Sequence, residues 1–369
     1  MSGNLLAEMN MPLVIYGILA AIFGLAIGSF LNVVIHRVPL GESVLLPGSR
    51  CPSCRTPIRA IDNIPVISYL LLRGKCRACA APIRIEYPLV ELLTAALFAA
   101  ITVRGGADLQ SALEAIFAAA VIALIFIDAR HQILPDRITY PAVLFAAVAA
   151  AVMGAFGRAP DFEMSFSLLV PALQSAFSPG RAAAIGGLLI ASAAPALRLL
   201  DRLDPALFNR SLDWEEIEES EIAEEEARAR RTERVVHATM LLGLAAAAIW
   251  AALVMIYGAS HAMLCEAAYH GLWRAFWGAV FGGGAIWWMR TLYFFVRGAE
   301  GMGLGDVKMM CGIGAFLGWY GAFSVLLLGS ILGAAIGLTL ALRSKGGMKT
   351  ALPFGVCLGI AAVLVVFIR

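Results

Sequence analysis

Charge is what this sequence has least of. Only 15% of its 369 residues are Asp, Glu, Lys or Arg, there are just 5 histidines, and 60% are hydrophobic. The mean hydropathy is +0.82. Such a composition excludes an ordinary water-soluble domain and implies an integral membrane protein. The net charge of +2 says little about partners, because its distribution matters more than its sum. A lipid bilayer is expected as surroundings, and no nucleic acid as a partner. Basic residues are also absent from the opening stretch MSGNLLAEMN, which carries Glu8. A cleaved secretory signal needs a basic start and a shorter apolar core, so the first apolar block is read as a span with its N-terminus away from the cytoplasm. No solenoid-type repeat is present.

What the chain does have is apolar blocks near the ~20 residues that a spanning helix requires. They lie near 12–35, 88–103, 110–127, 138–156, 182–200, 235–257, 271–296, 307–321, 322–342 and 351–368. The expected fold is all-α, a polytopic transmembrane helix bundle of about ten spans with a small cytoplasmic loop domain. The blocks at 182–200 and 307–321 are short and interrupted by Gly or Pro. Residues 36–86 hold eight Lys or Arg against three acids, which makes that loop cytoplasmic by the positive-inside rule. Alternation then brings Asp128 and the segment GMGLGDVK at 301–308 to the same face, together with the 201–234 and 343–349 loops.

Four parts follow: 1–103 with the first two spans and a cysteine-bearing loop (36–86), 104–156 as a helical hairpin, 157–270 as an inserted block with two extra spans, and 271–369 as the C-terminal spans. Within the insert, residues 201–234 carry twelve acids and six arginines. Acids before arginines suit the macrodipole of a solvated helix. Charge runs usually mean solvation, and a docking surface for a basic partner is the sharper alternative.

The loop holds two C-x-x-C hooks, Cys51–Cys54 and Cys76–Cys79, separated by 21 residues. Each is followed by a Pro-Ile, so the hooks resemble one another. Four thiolates fill a tetrahedral zinc shell and leave no open position, which is a structural site, and a cytoplasmic loop keeps thiols reduced. Two labile thiol pairs with a redox role are the rival. Cys311 and Cys357 lie in apolar blocks and read as core residues, while Cys265 is expected outside as a stray thiol.

Two aspartates stand at the ends of apolar runs, Asp128 closing AAAVIALIFID and Asp306 opening toward MMCGIGAFLGWYGAF. Ionisable residues there are functional-site hypotheses. Brought together from 178 positions apart, they form the pair that an aspartyl protease needs: one ionised carboxylate activates water, the other, protonated, donates to the amide carbonyl. No metal enters that step. Gly301, Gly303 and Gly305 would let the backbone turn tightly and meet an extended substrate. A phosphate-binding reading of these glycines is weak, because a spanning block and no strand precedes them. Asp136 competes with Asp128, but the preceding Pro135 makes it a helix cap or a supporting residue. His131 reads as an interfacial side chain.

These segments resemble the type IV prepilin leader peptidases, bifunctional membrane enzymes of the G-x-G-D aspartyl protease class. The likeness rests on GSFLNVVIHRVP (28–39), the hooks enclosing DNIPVISYLLLRGKC, YPLVELLTA (87–95), FIDARHQILPD (126–136), GMGLGDVK (301–308) and LPFG (352–355). It covers residues 13–156 and 271–369, roughly two thirds of the chain. The resemblance implies removal of prepilin and pseudopilin leaders at the cytoplasmic face of the inner membrane, then N-methylation of the exposed residue with S-adenosylmethionine. It implies Asp128 and Asp306 as the catalytic pair, with Lys308 and the motif glycines in support. Methyl transfer is associated with the first loop, where Gly74 and Lys75 are the positions to test. Glu86 and Glu91 flank the second span, and Glu91 is either a polar tie between helices or a substrate contact. Two departures stand out. The family typically has eight spans, and Ala129 and Arg130 follow Asp128 where many relatives place an acid. A peptidase without methylation, or a cation transporter using the aspartates, are the alternatives.

Overall fold

The computed structural model describes residues 11–156, 179–207, 219–257, 262–297, 301–343 and 353–368. The stretch before Met11, the acidic run at 208–218, the 258–261 segment and the basic 344–349 loop lie outside the described residues. Within them the regular structure is helical, apart from two isolated antiparallel bridges. Ten helices are described here: α1 (Met11–Arg37), α2 (Ile67–Leu71), α3 (Glu86–Gly105), α4 (Leu109–His131), α5 (Asp136–Phe156), α6 (Pro179–Leu207), α7 (Glu219–Tyr257), α8 (Ala262–Arg297), α9 (Leu304–Arg343) and α10 (Phe354–Ile368).

Six described segments are long and apolar enough to cross a membrane: α1, α3, α4, α5, Glu233–Ile256 of α7 and Leu304–Thr339 of α9. This count does not reach the expected ten. Two of the expected blocks, 307–321 and 322–342, both fall within α9, which is two helices meeting at a kink at Gly318, whose φ of 79° and ψ of 176° are not helical; the break comes three residues before the expected boundary. Glu266, Arg274 and Arg290 lower the apolar content of α8, and α10 is only 15 residues long. In the insert, α7 runs without a break from the acid- and arginine-rich stretch into the apolar one, so loop and span there are a single helix of 39 residues.

Two compact units divide the chain, Met1–Gln132 and Ile133–Arg369. In the first, α1 lies closely against α3. A Cβ on Gly24 would sit 2.7 Å from the Ala95 Cα, and one on Gly28 2.7 Å from the Glu91 Cα. Small residues let membrane helices approach this way, since dispersion contact rather than the hydrophobic effect draws them together in lipid. The turn into α4 is capped by Asp108, whose carboxylate accepts the Ser111 amide at 2.8 Å. Arg104 and the buried Glu114 pair across the same turn at 2.5 Å.

In the second unit, α8 packs along α9 through Gly278 and Gly314. A Cβ on either would collide with the other's carbonyl oxygen, so only glycine permits this backbone contact. Helix α5 packs against both α8 and α9, and α10 against α9. Cys265 is buried beside Val254 and is not the stray outside thiol expected; Cys357 is also buried, and Cys311 packs on the Tyr140–Val143 cluster.

Candidate functional site

The cysteine loop is built from two copies of one backbone pattern, 25 positions apart. In the first hook, Arg50 bridges to Pro57, the Cys51 amide donates to Thr56 O (3.0 Å), and Arg55 takes φ of 58° while its amide donates to Cys51 O (2.8 Å). In the second, Lys75 bridges to Pro82, the Cys76 amide donates to Ala81 O (2.8 Å), and Ala80 takes φ of 55° while its amide donates to Cys76 O (2.9 Å). Each pair of thiols is thus presented on a tight knuckle. All four Sγ atoms lie within 4.8 Å of one another, and Cys51 Sγ and Cys79 Sγ are 3.9 Å apart. Four sulfurs about 2.3 Å from a tetrahedral zinc are about 3.8 Å from each other, so this cluster fits the ion. The thiols already influence one another. Cys54 is pushed down to about 6, chiefly by hydrogen bonding with Thr56. At Cys79 the Ala81 amide favours the thiolate, but the neighbouring Cys54, together with burial and the other thiols, pushes it up to about 11.

Gly74 and Lys75 belong to the backbone of the second hook. Gly74 takes φ of 67°, donates to Tyr69 O at 2.9 Å and accepts from the Ile83 amide at 2.7 Å. A side chain there would be strained, and its Cβ would lie 3.0 Å from the Tyr69 hydroxyl. The hook is tied to the 3-10 turn Ala60–Asn63 by Arg77, whose Nη2 lies 2.6 Å from Asp62 Oδ1 and whose Nε donates to Oδ2 at 2.9 Å. These hydrogen bonds hold the Asp62 carboxyl below its ordinary range.

Glu91 resolves as a tie. It is buried, and its Oε2 accepts the Val66 amide at 2.8 Å, joining α3 to the loop. A second polar group, at the ends of α1, α3 and α4, is one that sequence reasoning missed. Arg130 contacts both ring nitrogens of His36 (3.1 and 3.3 Å) and pairs with Glu86. His36 stacks on Tyr87 with centroids 5.0 Å apart, and Asn32 donates to Tyr87 O at 3.0 Å. The signal was present in Arg130 itself, a cation two residues after Asp128 at the end of an apolar run. Its partners come from distant segments and are invisible locally. His131, by contrast, is exposed.

Asp128 lies in the last turn of α4 and is only 5% exposed. Its carbonyl accepts the amide of Gln132, which ends the helix in the left-handed region. Asp306, 8% exposed, opens the first turn of α9, with its amide 3.3 Å from Gly303 O. The first belongs to the Met1–Gln132 unit and the second to the Ile133–Arg369 unit.

Around Asp306 the chain bends at Met302, between two of the motif glycines. Close approach accounts for two: a Cβ would lie 2.6 Å from the Tyr293 ring at Gly301 and 2.8 Å from the Leu134 Cβ at Gly305. At Gly303 the space is open. Asp136 is not placed ahead of the helix as its cap but within the first turn of α5. Its Oδ1 accepts from Lys308 Nζ at 2.6 Å, and that ammonium also sits 5.4 Å from the Tyr140 ring centroid. Lys308 is only 5% exposed. The pair fastens the start of α5 to the first turn of α9, beside Asp306.

Two family models match the chain: the bacterial peptidase A24 N-terminal domain over residues 22–104, which includes the hooks, and the type IV leader peptidase family over residues 231–338, which includes Asp306. Among similar proteins, the prepilin leader peptidase/N-methyltransferase of Dichelobacter nodosus is 44% identical over 162 residues, 37% of this chain and 56% of that protein. The protein of that name from Neisseria gonorrhoeae is 45% identical over 149 residues, 34% of this chain and 52% of the relative. The chain thus spans about half the length of these curated relatives. The one from Aeromonas hydrophila is 27% identical over 371 residues, 94% of this chain and 89% of the relative. No solved structure matches the chain.

Proposed function

Because the chain belongs to the type IV leader peptidase family, we propose that it is a membrane aspartyl endopeptidase that removes the leader of prepilins and pseudopilins and then N-methylates the new N-terminus. The observation that carries this reading is the Asp306 turn, a buried aspartate opening a membrane-length helix inside the segment matched by the leader peptidase model. Asp128 is its partner in the proposed dyad. One carboxylate, ionised, takes a proton from water as the water oxygen bonds to the scissile carbonyl carbon. The other, protonated, donates to the carbonyl oxygen. Collapse of that adduct breaks the C–N bond, and the departing amine takes a proton. Lys308 and Asp136 hold the Asp306 turn in place.

The four hook thiolates would hold zinc as a closed structural site, so the ion orders the loop and takes no part in hydrolysis. When bound, S-adenosylmethionine supplies the methyl group, and the amine nitrogen that accepts it loses a proton. Gly74 and Lys75, on the second hook, are the positions assigned to that step. The site faces the cytoplasm from the inner membrane, on the strength of the basic 36–86 loop.

Co-expression with a prepilin tests the reading, with leader cleavage and N-terminal mass measured together. Asp128→Asn and Asp306→Asn are each expected to abolish cleavage while the protein still inserts. Wild-type processing by either variant removes that aspartate from the dyad.

A further inference from the structure

The loop between α1 and α3 does not stay outside the membrane-length helices. It returns to the flank of α3. That helix has 20 residues and is about 30 Å long, which is about the thickness of the hydrocarbon core, so nearly all of it is needed to cross. Glu91 lies five residues inside its start, about 7 Å along the axis. There its carboxylate, buried at the α1–α3 contact, takes the Val66 amide.

Val66 is held in an unusual shape. Its φ of 60° and ψ of −49°, with the Ile67 amide 2.6 Å from Pro65 O, make a γ-turn of the rare strained kind, on a β-branched residue. Such strain persists only where the surroundings over-determine it. Here Glu91 grips one side. On the other, the buried Ser68 hydroxyl donates to Ile61 O at 2.8 Å and accepts the Ile64 amide at 3.0 Å.

The turn launches α2 with Ser68 inward. Ile67, Leu70 and Leu71, spaced as neighbours on one helical face, point away from the protein and are 53%, 68% and 76% exposed. An apolar face launched from beside Glu91 would be out of place in water. Exposed Arg73 and Lys75 follow directly, placing cations beside it as interfacial helices do. We propose that α2 is an interfacial anchor: Ile67, Leu70 and Leu71 rest in the headgroup–acyl boundary of the bilayer crossed by α1 and α3, and Arg73 and Lys75 meet anionic lipid headgroups. The hooks, which begin again at Lys75, are thereby held against the membrane surface. This placement does not depend on whether the chain cleaves a leader.

The test places the photo-crosslinking residue benzoylphenylalanine at Leu71, and separately at Leu70, in the full chain. Each is reconstituted into vesicles of phosphatidylethanolamine with phosphatidylglycerol, and irradiated. Zinc content of the same sample reports that the hooks are intact. The expected result is a peptide carrying the mass of a phospholipid at both positions. With Arg73→Gln and Lys75→Gln together, or in vesicles of phosphatidylcholine alone, the adduct yield should fall by about twofold or more. An unlabelled probe, or crosslinking to a second copy or to another protein in place of lipid, overturns the anchor. Unchanged yield in the charge variant or in neutral vesicles overturns the headgroup contact.

Discussion

The cysteine hooks and the Asp306 turn both place polar groups beside apolar helices, yet they are held by opposite means. Each hook is closed by a bridge between residues seven positions apart, Arg50 to Pro57 and Lys75 to Pro82. The Asp306 turn depends on a contact that spans 172 positions, Lys308 to Asp136. The hooks therefore rest on short-range backbone pattern and a four-thiol cluster that fits an ion, and the aspartate turn on helix packing. Damage should spread accordingly: loss of the ion stays within the loop, whereas loss of the ion pair shifts two helices.

The largest expected effect is removal of the metal. Structural zinc sites contribute on the order of 10 kcal/mol to the folding of their own domain. Cys51→Ser or chelation should abolish bound zinc, measured by atomic absorption, and open residues 38–85 to protease while the helical signal in circular dichroism stays. If the helices melt together with the loop, the two regions are not separate in the way described.

Lys308→Met comes next. It leaves the Asp136 carboxylate without its cation at a site where Lys308 is buried and Asp136 is partly exposed. A loss of about 2 kcal/mol is expected in detergent unfolding, with leader cleavage falling further than stability does. Lys308→Arg should restore part of both. Cleavage at the wild-type rate in Lys308→Met would separate the ion pair from the site.

The smallest effect is expected at Asp62, on the hook side of the comparison. Its carboxyl is held below the ordinary range by Arg77. The pair therefore stabilises the folded loop fully above an unfolded carboxylate pKa of about 4, and this contribution is lost as pH falls through the depressed folded value. Asp62→Asn should raise amide exchange of Ala60–Asn63 slightly near neutral pH, and the difference from wild type should vanish in acid. A difference that instead grows in acid contradicts the assignment.

The hooks were readable from sequence because the pattern that makes them is contiguous: two C-x-x-C pairs, each followed by Pro-Ile. Asp128 and Asp306 were readable as carboxylates at the ends of apolar runs, since few other residues interrupt those runs. What was misread or undecided follows the same logic in reverse. Asp136 reads as either a cap or a supporting residue while only Pro135 is in view, and the neighbour that it pairs with, Lys308, lies far along the chain. Cys265 looked like a stray outside thiol because its burial is supplied by Val254 of α7. The His36–Arg130–Glu86 group draws on three helices, and no segment by itself announces it.

Composition and the length of the apolar blocks alone determined that this is a helical membrane protein, because in lipid a backbone must satisfy its own hydrogen bonds within each segment. Local spacing determined the paired cysteine hooks, whose thiols the fold gathers into one cluster. Only the tertiary structure decided that the break between two expected blocks falls at Gly318, that Glu91 accepts the Val66 amide, and that Lys308 reaches Asp136. Those outcomes depend on which backbones can approach closely and which buried polar groups find each other. Such pairings join residues distant in the chain, so no local pattern encodes them.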